Sequence, residues 1–288
     1  MVEKNPKLFF NLISEIKEMK KAIYILIGVV VMALAACDNV KEEDRLIYVA
    51  PAEVSRCILI EDFTGQRCVN CPDATEELET LQKTYGADTV IVVGIHSGPF
   101  GVKSMPNPNY QALATDLGDE YYAHWGIEAQ PGVIINRSSG PVYDPKQYAS
   151  FVSTQLKQST PLSLSIENTN AYVENGAIFV VKAKASEPVA GKLQVWVVED
   201  SISSVQVFPN NVNNLEYIHN HVFRASVTED IYGDDIQVSN QSESSREFTI
   251  QFGDKWVKDH LYVVAFVYNS TGVVQATRLK LVQSFIEE

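Results

Sequence analysis

The stretch Asp62-Phe-Thr-Gly-Gln-Arg-Cys68-Val-Asn-Cys71-Pro72 decides how the first half of the chain folds. An apolar run, Cys57-Ile-Leu-Ile60, precedes it and is typical of a buried strand, and helical spacing follows it. Two cysteines separated by two residues are close enough to form a disulfide. Because a helix N-terminus favours negative charge, we expect the Cys68 thiol to ionise readily. The stretch predicts a dithiol–disulfide pair between a strand and a helix.

Residues 51–158 have the pattern of alternating strands and helices. Helical spacing after the two cysteines gives way to a continuous apolar strand at Thr89 to Ile95. Further helices are expected near Tyr110 to Tyr121 and near Tyr148 to Leu156, with two short strands between them. The order of elements is therefore β-α-β-α-β-β-α.

That order and three separate features resemble thioredoxin. Cys68 and Cys71 match its nucleophilic and resolving cysteines, and Asp62 lies six residues before Cys68, where thioredoxins keep a buried acid. Pro131 precedes an apolar strand and matches the cis-proline that packs against the disulfide. The resemblance implies an α/β thioredoxin-like domain over residues 51–158, with Pro131 shaping a groove for an extended substrate.

Two of the departures from the thioredoxin pattern are Arg67 and a long loop. Arg67 replaces the usual aromatic residue before the first cysteine, and its fixed charge is expected to stabilise a Cys68 thiolate. The segment Ser97 to Asn109 is rich in Gly, Pro and Asn and is expected to form a long loop that shades the site. Both changes are expected to alter substrate choice or access rather than the exchange chemistry.

Other uses of the cysteines stay open at this point. A structural zinc needs four ligands, so His96 or His124 would have to join the single Cys-x-x-Cys. The pair would otherwise be an inert disulfide that staples the fold. Cys57, in the first strand, is expected to be a buried free thiol. We expect neither a metal nor any other cofactor.

Residues 1–36 have the form of a bacterial lipoprotein leader. Lys20 and Lys21 precede an apolar segment that is shorter than a transmembrane helix, and Leu34-Ala-Ala-Cys37 resembles a lipobox. Met19 is the expected true start, and the mature chain would begin at Cys37, lipidated at its thiol and its new amino group. Residues 37–50 then form an acidic tether. The expected anchor is the lipid on Cys37.

Charge limits the possible partners. The chain of 288 residues has a formal net charge of −13 and no cluster of Lys and Arg after the leader. Nucleic acids and anionic lipid surfaces are bound through basic patches. We therefore expect no nucleic-acid partner.

Residues 159–288 lose the helical spacing and predict strands. Seven runs of strand composition, separated by Asn, Asp, Gly and Ser, are typical of an antiparallel sandwich of immunoglobulin-like type. The expected fold is thus an α/β thioredoxin-like domain followed by an all-β immunoglobulin-like domain. One expected strand, Tyr217 to Val227, carries His219 and His221 on one face. These imidazoles would either share a metal or form a polar face against the first domain.

The motifs together resemble one family. Ile60-Glu-Asp-Phe-Thr-Gly-Gln-x-Cys-x-Asn-Cys-Pro72, the lipoprotein leader, and His219-Asn-His-Val-x-Arg224 are similar to the Omp28-related outer-membrane lipoproteins of Bacteroidetes. The resemblance implies an outer-membrane location, on the periplasmic face or the cell surface, and carries no activity with it.

Two functions fit this sequence. The first is a membrane-tethered thiol–disulfide oxidoreductase that acts on disulfide-containing or thiol-containing proteins, with Cys68, Cys71, Asp62, Pro131 and Arg67 forming its site. The second is a non-catalytic surface lipoprotein that binds an extracellular protein or glycan. In that case the Cys-x-x-Cys disulfide is structural.

Overall fold

The computed structural model describes Lys21 and residues 55–169, 171 and 173–281. Cys37, the acidic tether and, apart from Lys21, the leader lie outside the described residues. The segment boundaries after residues 36, 50 and 158 stay predictions. Among the described residues, no helix combines the length and the hydropathy needed to cross a membrane.

Strands and helices alternate up to residue 156. They are β1 (Ile58–Thr64), α1 (Cys71–Tyr85), β2 (Val90–His96), α2 (Asp116–His124), β3 (Gly132–Ile135) and α3 (Tyr148–Leu156). The short strand expected after residue 140 is a single bridge between Val133 and Val142.

Helix α1 carries the signals that the sequence gives for it. Proline occupies its first turn together with Asp73, Lys83 lies in its last turn, and both charges suit the helix dipole. Gly86 ends the helix with φ 89°, a conformation that a glycine adopts without steric cost. The helix therefore begins at the second cysteine of the motif.

The rest of the described chain is almost entirely strand. Its strands are β4 (Leu162–Asn168), β5 (Gly176–Ala185), β6 (Val189–Glu199), β7 (Ile202–Phe208), β8 (Val212–His219), β9 (Val222–Ser226), β10 (Asp234–Val238), β11 (Glu243–Gln251), β12 (Leu261–Asn269) and β13 (Gly272–Lys280).

One mixed sheet contains strands from both halves of the chain. Its order is β13-β12-β6-β9-β2-β1-β3, and β10 also pairs with β6. Strand β1 pairs parallel with β2 and antiparallel with β3. Strand β2 pairs parallel with β9, where Gly94 is opposite Val222. Strands from the two halves are therefore neighbours in a single eight-stranded sheet.

The expected fold class is wrong. The described residues do not form an α/β thioredoxin-like domain followed by an immunoglobulin-like domain, because strands of both parts belong to that one sheet. Hydrophobic spacing shows that a segment is a strand, but it does not show which strand will pair with its edge. The strands expected at 58–63 and 89–95 are present, and the error lies in their neighbours.

Three hydrophobic clusters cover the faces of this sheet. Helices α1 and α3 pack on β1, β2 and β3 through residues such as Leu78, Val152 and Ile60. The opposite face joins Leu59 and Phe63 to Trp196 and Phe266. Because this second cluster draws on both halves of the chain, each half buries part of the other.

A three-stranded antiparallel sheet, β11-β5-β4, covers the remaining part of the large sheet. Phe179 and Val181 of β5 pack with Val195 and Val263 across the gap between the two sheets. The C-terminal part is thus a β-sandwich, as expected, but one of its two sheets continues into β1, β2 and β3.

The strand expected at Tyr217 to Val227 is divided in two. His221 has φ 57°, and the chain turns there between β8 and β9. Strand β8 pairs with β7 in a separate two-stranded ribbon, while β9 enters the large sheet. The turn places His219 and His221 in different surroundings.

Candidate functional site

Cys68 and Cys71 form a disulfide at the start of α1, with an S–S distance of 2.07 Å and Cα atoms 5.4 Å apart. Strand β1 ends at Thr64, and a short turn brings the chain to Cys68, whose N–H donates to the Gly65 carbonyl. Both cysteines are buried, with 2% and 1% of their surfaces exposed. The sulfur pair is therefore covered by other parts of the chain.

Two glutamines connect the segments that cover the disulfide to the turn that carries Cys68. The side-chain amide of Gln206, on β7, donates to the Cys68 carbonyl over 2.9 Å. The buried Gln66 amide donates to Ser204 on β7 and to the Gln111 carbonyl, and its oxygen accepts from the Leu113 N–H. Strand β7 and the loop of residues 97–115 are therefore fixed to the turn that carries Cys68.

The same loop touches the turn through its backbone. The Arg67 N–H donates to the Phe100 carbonyl over 3.1 Å, and the Arg67 side chain is exposed. A Cβ atom at Gly65 would lie only 2.4 Å from that carbonyl oxygen, so the approach requires glycine. The loop therefore covers the turn that carries Cys68. A role of Arg67 in stabilising the Cys68 thiolate stays a prediction.

A cavity of about 40 Å³ lies between α1 and the β7–β8 ribbon. Asp62 and Cys71 both line it. Asp62 is 4% exposed, and burial raises its pKa from 3.8 to about 7. The structure thus brings together two of the predicted site residues, the buried acid and the second cysteine.

His96 of β2 and His219 of β8 line the same cavity. Their ring centroids are 5.1 Å apart, in an edge-to-face arrangement. Burial lowers the pKa of His219 to about 4, although a hydrogen bond to the Val205 carbonyl acts in the opposite direction. Burial, His219 and Arg224 hold the pKa of His96 well below its usual range. Both imidazoles are therefore neutral at pH 7.

His221 has a different setting from His219. Its Nδ1 lies 2.8 Å from Asp200 Oδ1, and its Nε2 lies 3.0 Å from Gln82 Oε1 on α1. Its carbonyl accepts from the Gly94 N–H over 2.7 Å. His221 thus attaches the corner between β8 and β9 to α1 and β2, and its ring is not free to share a metal with His219.

Pro131 follows a cis peptide bond at the start of β3. The preceding residue, Gln130, donates from its side-chain amide to the carbonyls of Thr64 and Ser97 over 2.7 and 3.0 Å. Thr64 is the last residue of β1, and Ser97 directly follows β2. A role of Pro131 in shaping a substrate groove stays a prediction.

Two further expectations from the sequence concern Cys57 and a structural zinc. Cys57 is a free thiol but only partly buried, and burial followed by the charge of Asp88 raises its pKa. Within the described ranges no group of three or more His, Cys, Asp or Glu side chains could hold a metal ion. His124 packs instead against Trp125 and Tyr232.

Sequence reasoning missed the residues that the C-terminal half brings to this site. The sequence paired His219 with His221, but the imidazole that contacts His219 belongs to His96. Gln206 carried no signal, because β7 was not expected at all. The strand was missed because its Ser and Gln residues face inward, which weakens the apolar alternation.

The fold and the site define a class: a β-rich protein with a buried Cys-x-x-Cys disulfide at the start of a helix. The family described as Outer membrane protein Omp28 matches residues 118–284, which is more than half of the chain. The chain belongs to the Omp28 family, as its motifs predicted. The matched region includes His219 and Gln206 but begins after the two cysteines.

Among solved structures, HBP35 of Porphyromonas gingivalis shares the fold. HBP35 of Porphyromonas gingivalis is 16% identical, with a TM-score of 0.58, over 79% of this chain and 76% of that one. A domain of the outer membrane lipoprotein Omp28 from Porphyromonas gingivalis is 20% identical, with a TM-score of 0.32, over 44% of this chain and 92% of that one. The comparison with curated proteins gives no match.

Family membership confirms the expected location. Omp28 proteins are outer membrane lipoproteins of Bacteroidetes, and this protein is located at the outer membrane. The lipidated residue, Cys37, lies outside the described residues and stays a prediction.

Proposed function

We propose that this outer membrane lipoprotein is a thiol–disulfide oxidoreductase that acts on extracytoplasmic proteins. The observation that carries the proposal is the Asp62 carboxyl, which is buried in the cavity that Cys71 also lines and has a pKa raised to about 7. A group that titrates near neutral pH both accepts and releases protons at the working pH.

A disulfide that only staples the fold does not need such a carboxyl. Burying an unpaired carboxylate costs stability, and Asp62 Oδ1 has no hydrogen-bond partner among the residues that the structure describes. Strongly shifted pKa values next to a reactive group are typical of functional sites. The position of Asp62 therefore supports proton transfer beside Cys71.

In the reaction, the Cys68 thiolate attacks a substrate disulfide and forms a mixed disulfide, and one substrate thiolate leaves. Cys71 then loses its proton towards Asp62 and attacks the Cys68 sulfur, which restores the intramolecular disulfide and releases the second substrate thiol. Arg67 favours the Cys68 thiolate, and Pro131 shapes the groove for the substrate chain. A dithiol protein regenerates the reduced pair.

A specific observation also favours a second function, a non-catalytic lipoprotein that binds an extracellular protein or glycan. Both cysteines are almost fully buried, and Gln206 and Gln66 attach β7 and the loop to the turn that carries Cys68. Buried cysteines are usually inert. In this second function the disulfide is structural, and the β-sandwich carries the binding surface.

The two functions differ in the behaviour of the cysteines. We would measure the redox potential of the pair and the pH dependence of Cys68 alkylation, and compare insulin reduction by the wild-type and Cys68→Ser proteins. The oxidoreductase should show a Cys68 thiolate at neutral pH and lose insulin reduction on substitution. A disulfide with a potential below about −300 mV, and a Cys68 that reacts like free cysteine, would instead support the structural function.

A further inference from the structure

Three buried polar atoms belong to side chains that line the cavity beside the disulfide. Asp62 Oδ1, His96 Nδ1 and His219 Nε2 each lack a hydrogen-bond partner among the described residues. The three side chains line the same cavity, and the residues are 4%, 4% and 5% exposed. A buried polar atom without a partner costs about 1–3 kcal/mol, so three around one cavity need an explanation.

The tautomer of His219 follows from its contacts. Its other ring nitrogen donates to the Val205 carbonyl, so Nε2 presents a lone pair to the cavity. His221 provides a contrast within the same motif, because both of its ring nitrogens have partners in Asp200 and Gln82. His219 differs from His221 in this respect, because its Nε2 has no partner among the described residues.

Cavity volume and chemistry fit water. A volume of about 40 Å³ exceeds the roughly 15 Å³ that one water needs by the same measure. A buried water makes two to four hydrogen bonds, and the three atoms supply two ring nitrogens and one carboxyl oxygen. The absence of any suitable group of three ligands among the described residues argues against a metal in this place.

We propose that His96 and His219 are positioning residues of the disulfide site, which hold water through which the Cys71 proton reaches Asp62. This inference rests on the oxidoreductase function proposed above. His219 lies on β8, so the C-terminal half of the chain takes part in the chemistry of the two cysteines in the N-terminal half.

The step is a proton transfer followed by thiol–disulfide exchange. The Cys71 S–H proton passes to a bound water, and that water gives a proton to the Asp62 carboxylate. The Cys71 thiolate then forms a bond with the Cys68 sulfur while the bond from Cys68 to the substrate sulfur breaks. The substrate thiolate leaves with the electron pair and takes a proton from solvent, and Asp62 later releases its own proton through the same water.

Two substitutions of His219 separate its two nitrogens. An asparagine amide reaches the position of Nδ1, so His219→Asn keeps the bond to Val205 and removes the acceptor in the cavity. A glutamine amide reaches the position of Nε2, so His219→Gln keeps the acceptor and loses the Val205 bond. A structural role predicts that asparagine is the milder change, whereas the proposed role predicts that glutamine is.

The assay separates the two cysteines. Reduced mature lipoprotein carrying Cys57→Ser is mixed with dithiobis(nitrobenzoic acid), whose thiolate product is coloured. The first equivalent released reports the attack of Cys68, and the second reports the attack of Cys71. We expect His219→Asn to slow the second phase by about tenfold or more, and His219→Gln to stay within about threefold of wild type. The first phase should be the same in all three proteins.

His96 provides a second test in case a His219 variant fails to fold. Its unpartnered atom is Nδ1, so the order reverses: His96→Gln should slow the second phase and His96→Asn should preserve it. Thermal unfolding of each variant reports whether it is folded.

The outcomes are distinct. If the wild-type protein gives both phases and the second phase is equally fast in His219→Asn and His96→Gln, the proposed role of the histidines is overturned and the oxidoreductase function stands. If wild-type Cys68 forms no mixed disulfide, the oxidoreductase function is overturned, and the role of the histidines falls with it.

Discussion

Asp62 and His219 show at the residue scale how one cavity shifts an acid and a base in opposite directions. Burial raises the pKa of Asp62 to about 7 and lowers that of His219 to about 4, because the charged form of each is the one that loses hydration. Burial, followed by nearby negative charges that include Asp62, raises the pKa of the Tyr148 and Tyr217 phenols, so they do not titrate below pH 8. Near pH 6 Asp62, His219 and both phenols are therefore mostly uncharged.

We predict that Asp62→Asn stabilises the protein increasingly as pH rises from 4 to 7. Burial raises the folded-state pKa of Asp62 to about 7 from the usual 3.8 of an aspartate. Below pH 4 the carboxyl is protonated in both the folded and the unfolded protein, and its burial costs nothing. As pH rises from 4 to 7 the unfolded protein ionises first, so wild type loses stability. A shift of this size corresponds to at most about 4 kcal/mol in the free energy of unfolding. Urea unfolding of both proteins from pH 4 to pH 8 measures the difference. A flat difference curve would contradict the prediction.

His219→Asn is the matched comparison, because its sign is opposite. The folded-state pKa of His219 is below 6.5, so its contribution is present above pH 6.5 and is lost as pH falls through 4. Relative to wild type, this variant should therefore gain stability as pH falls from 6.5 to 4. Over the same range the stability of Asp62→Asn should fall back towards that of wild type.

At the element scale, β7 and the loop of residues 97–115 decide access to the disulfide. Both are attached to the turn between β1 and α1 by hydrogen bonds from Gln66, Arg67 and Gln206. Local opening of a covering segment costs less than global unfolding. A reagent in solution therefore reaches the disulfide only after such an opening.

We predict that Gly65→Ala opens this cover. The added Cβ would lie 2.4 Å from the Phe100 oxygen and 2.9 Å from the Gly101 nitrogen, so the loop backbone must move and the Arg67 bond is lost. Overpacking of this kind costs about 1–3 kcal/mol. The rate at which dithiothreitol reduces the disulfide should rise about tenfold, the ratio expected for a loss of ~1.4 kcal/mol in the closed state.

Gly140→Ala is the control for Gly65→Ala. Gly140 has no atom within 4 Å of an added Cβ and lies in an exposed turn, so its substitution should leave the reduction rate unchanged. Equal reduction rates in Gly65→Ala and Gly140→Ala would show that the loop does not control access.

At the scale of the whole molecule, Arg137 joins the two halves. Its guanidinium binds both carboxylate oxygens of Glu61 on β1 over 2.8 Å and donates to Gln194 on β6 over 2.9 Å. Both members of the ion pair are buried, with 3% and 0% of their side chains exposed. Rings from both halves surround the cation: Trp125, Trp196, Phe266 and Tyr268.

We predict that Arg137→Ala destabilises the described fold as one unit. Removing one partner leaves the Glu61 carboxylate buried without its counter-charge, which costs about 3–5 kcal/mol. Urea unfolding followed by far-ultraviolet circular dichroism and by alkylation of Cys57 should shift to lower urea together. Separate midpoints for the two probes would indicate halves that unfold independently.

Asp88→Asn is the control for the ion pair. Asp88 pairs with Arg278 across the same two halves over 2.8 Å, but its side chain is 88% exposed. Exposed pairs contribute little, so the free energy of unfolding should change by less than about 1 kcal/mol.

Local signals in the sequence predicted many of the elements. Helical spacing and Gly86 placed α1, and the apolar runs at Ile58 and Val90 placed two strands, because these signals depend on near neighbours. The pairing of Gly94 with Val222 was not predictable, because it depends on residues far apart in the chain. The turn at His221 was missed because a positive φ outside glycine has no strong sequence signal.

The sequence by itself determined the Cys68–Cys71 motif, the acid Asp62 before it and the family. Only the tertiary structure decided that both halves share one sheet, that β7 covers the disulfide, and that His219 joins Asp62 in a single cavity. The reason is physical. Spacing along the chain fixes what a segment is, whereas the partner of a strand edge or a buried polar group is fixed by burial among residues distant in sequence.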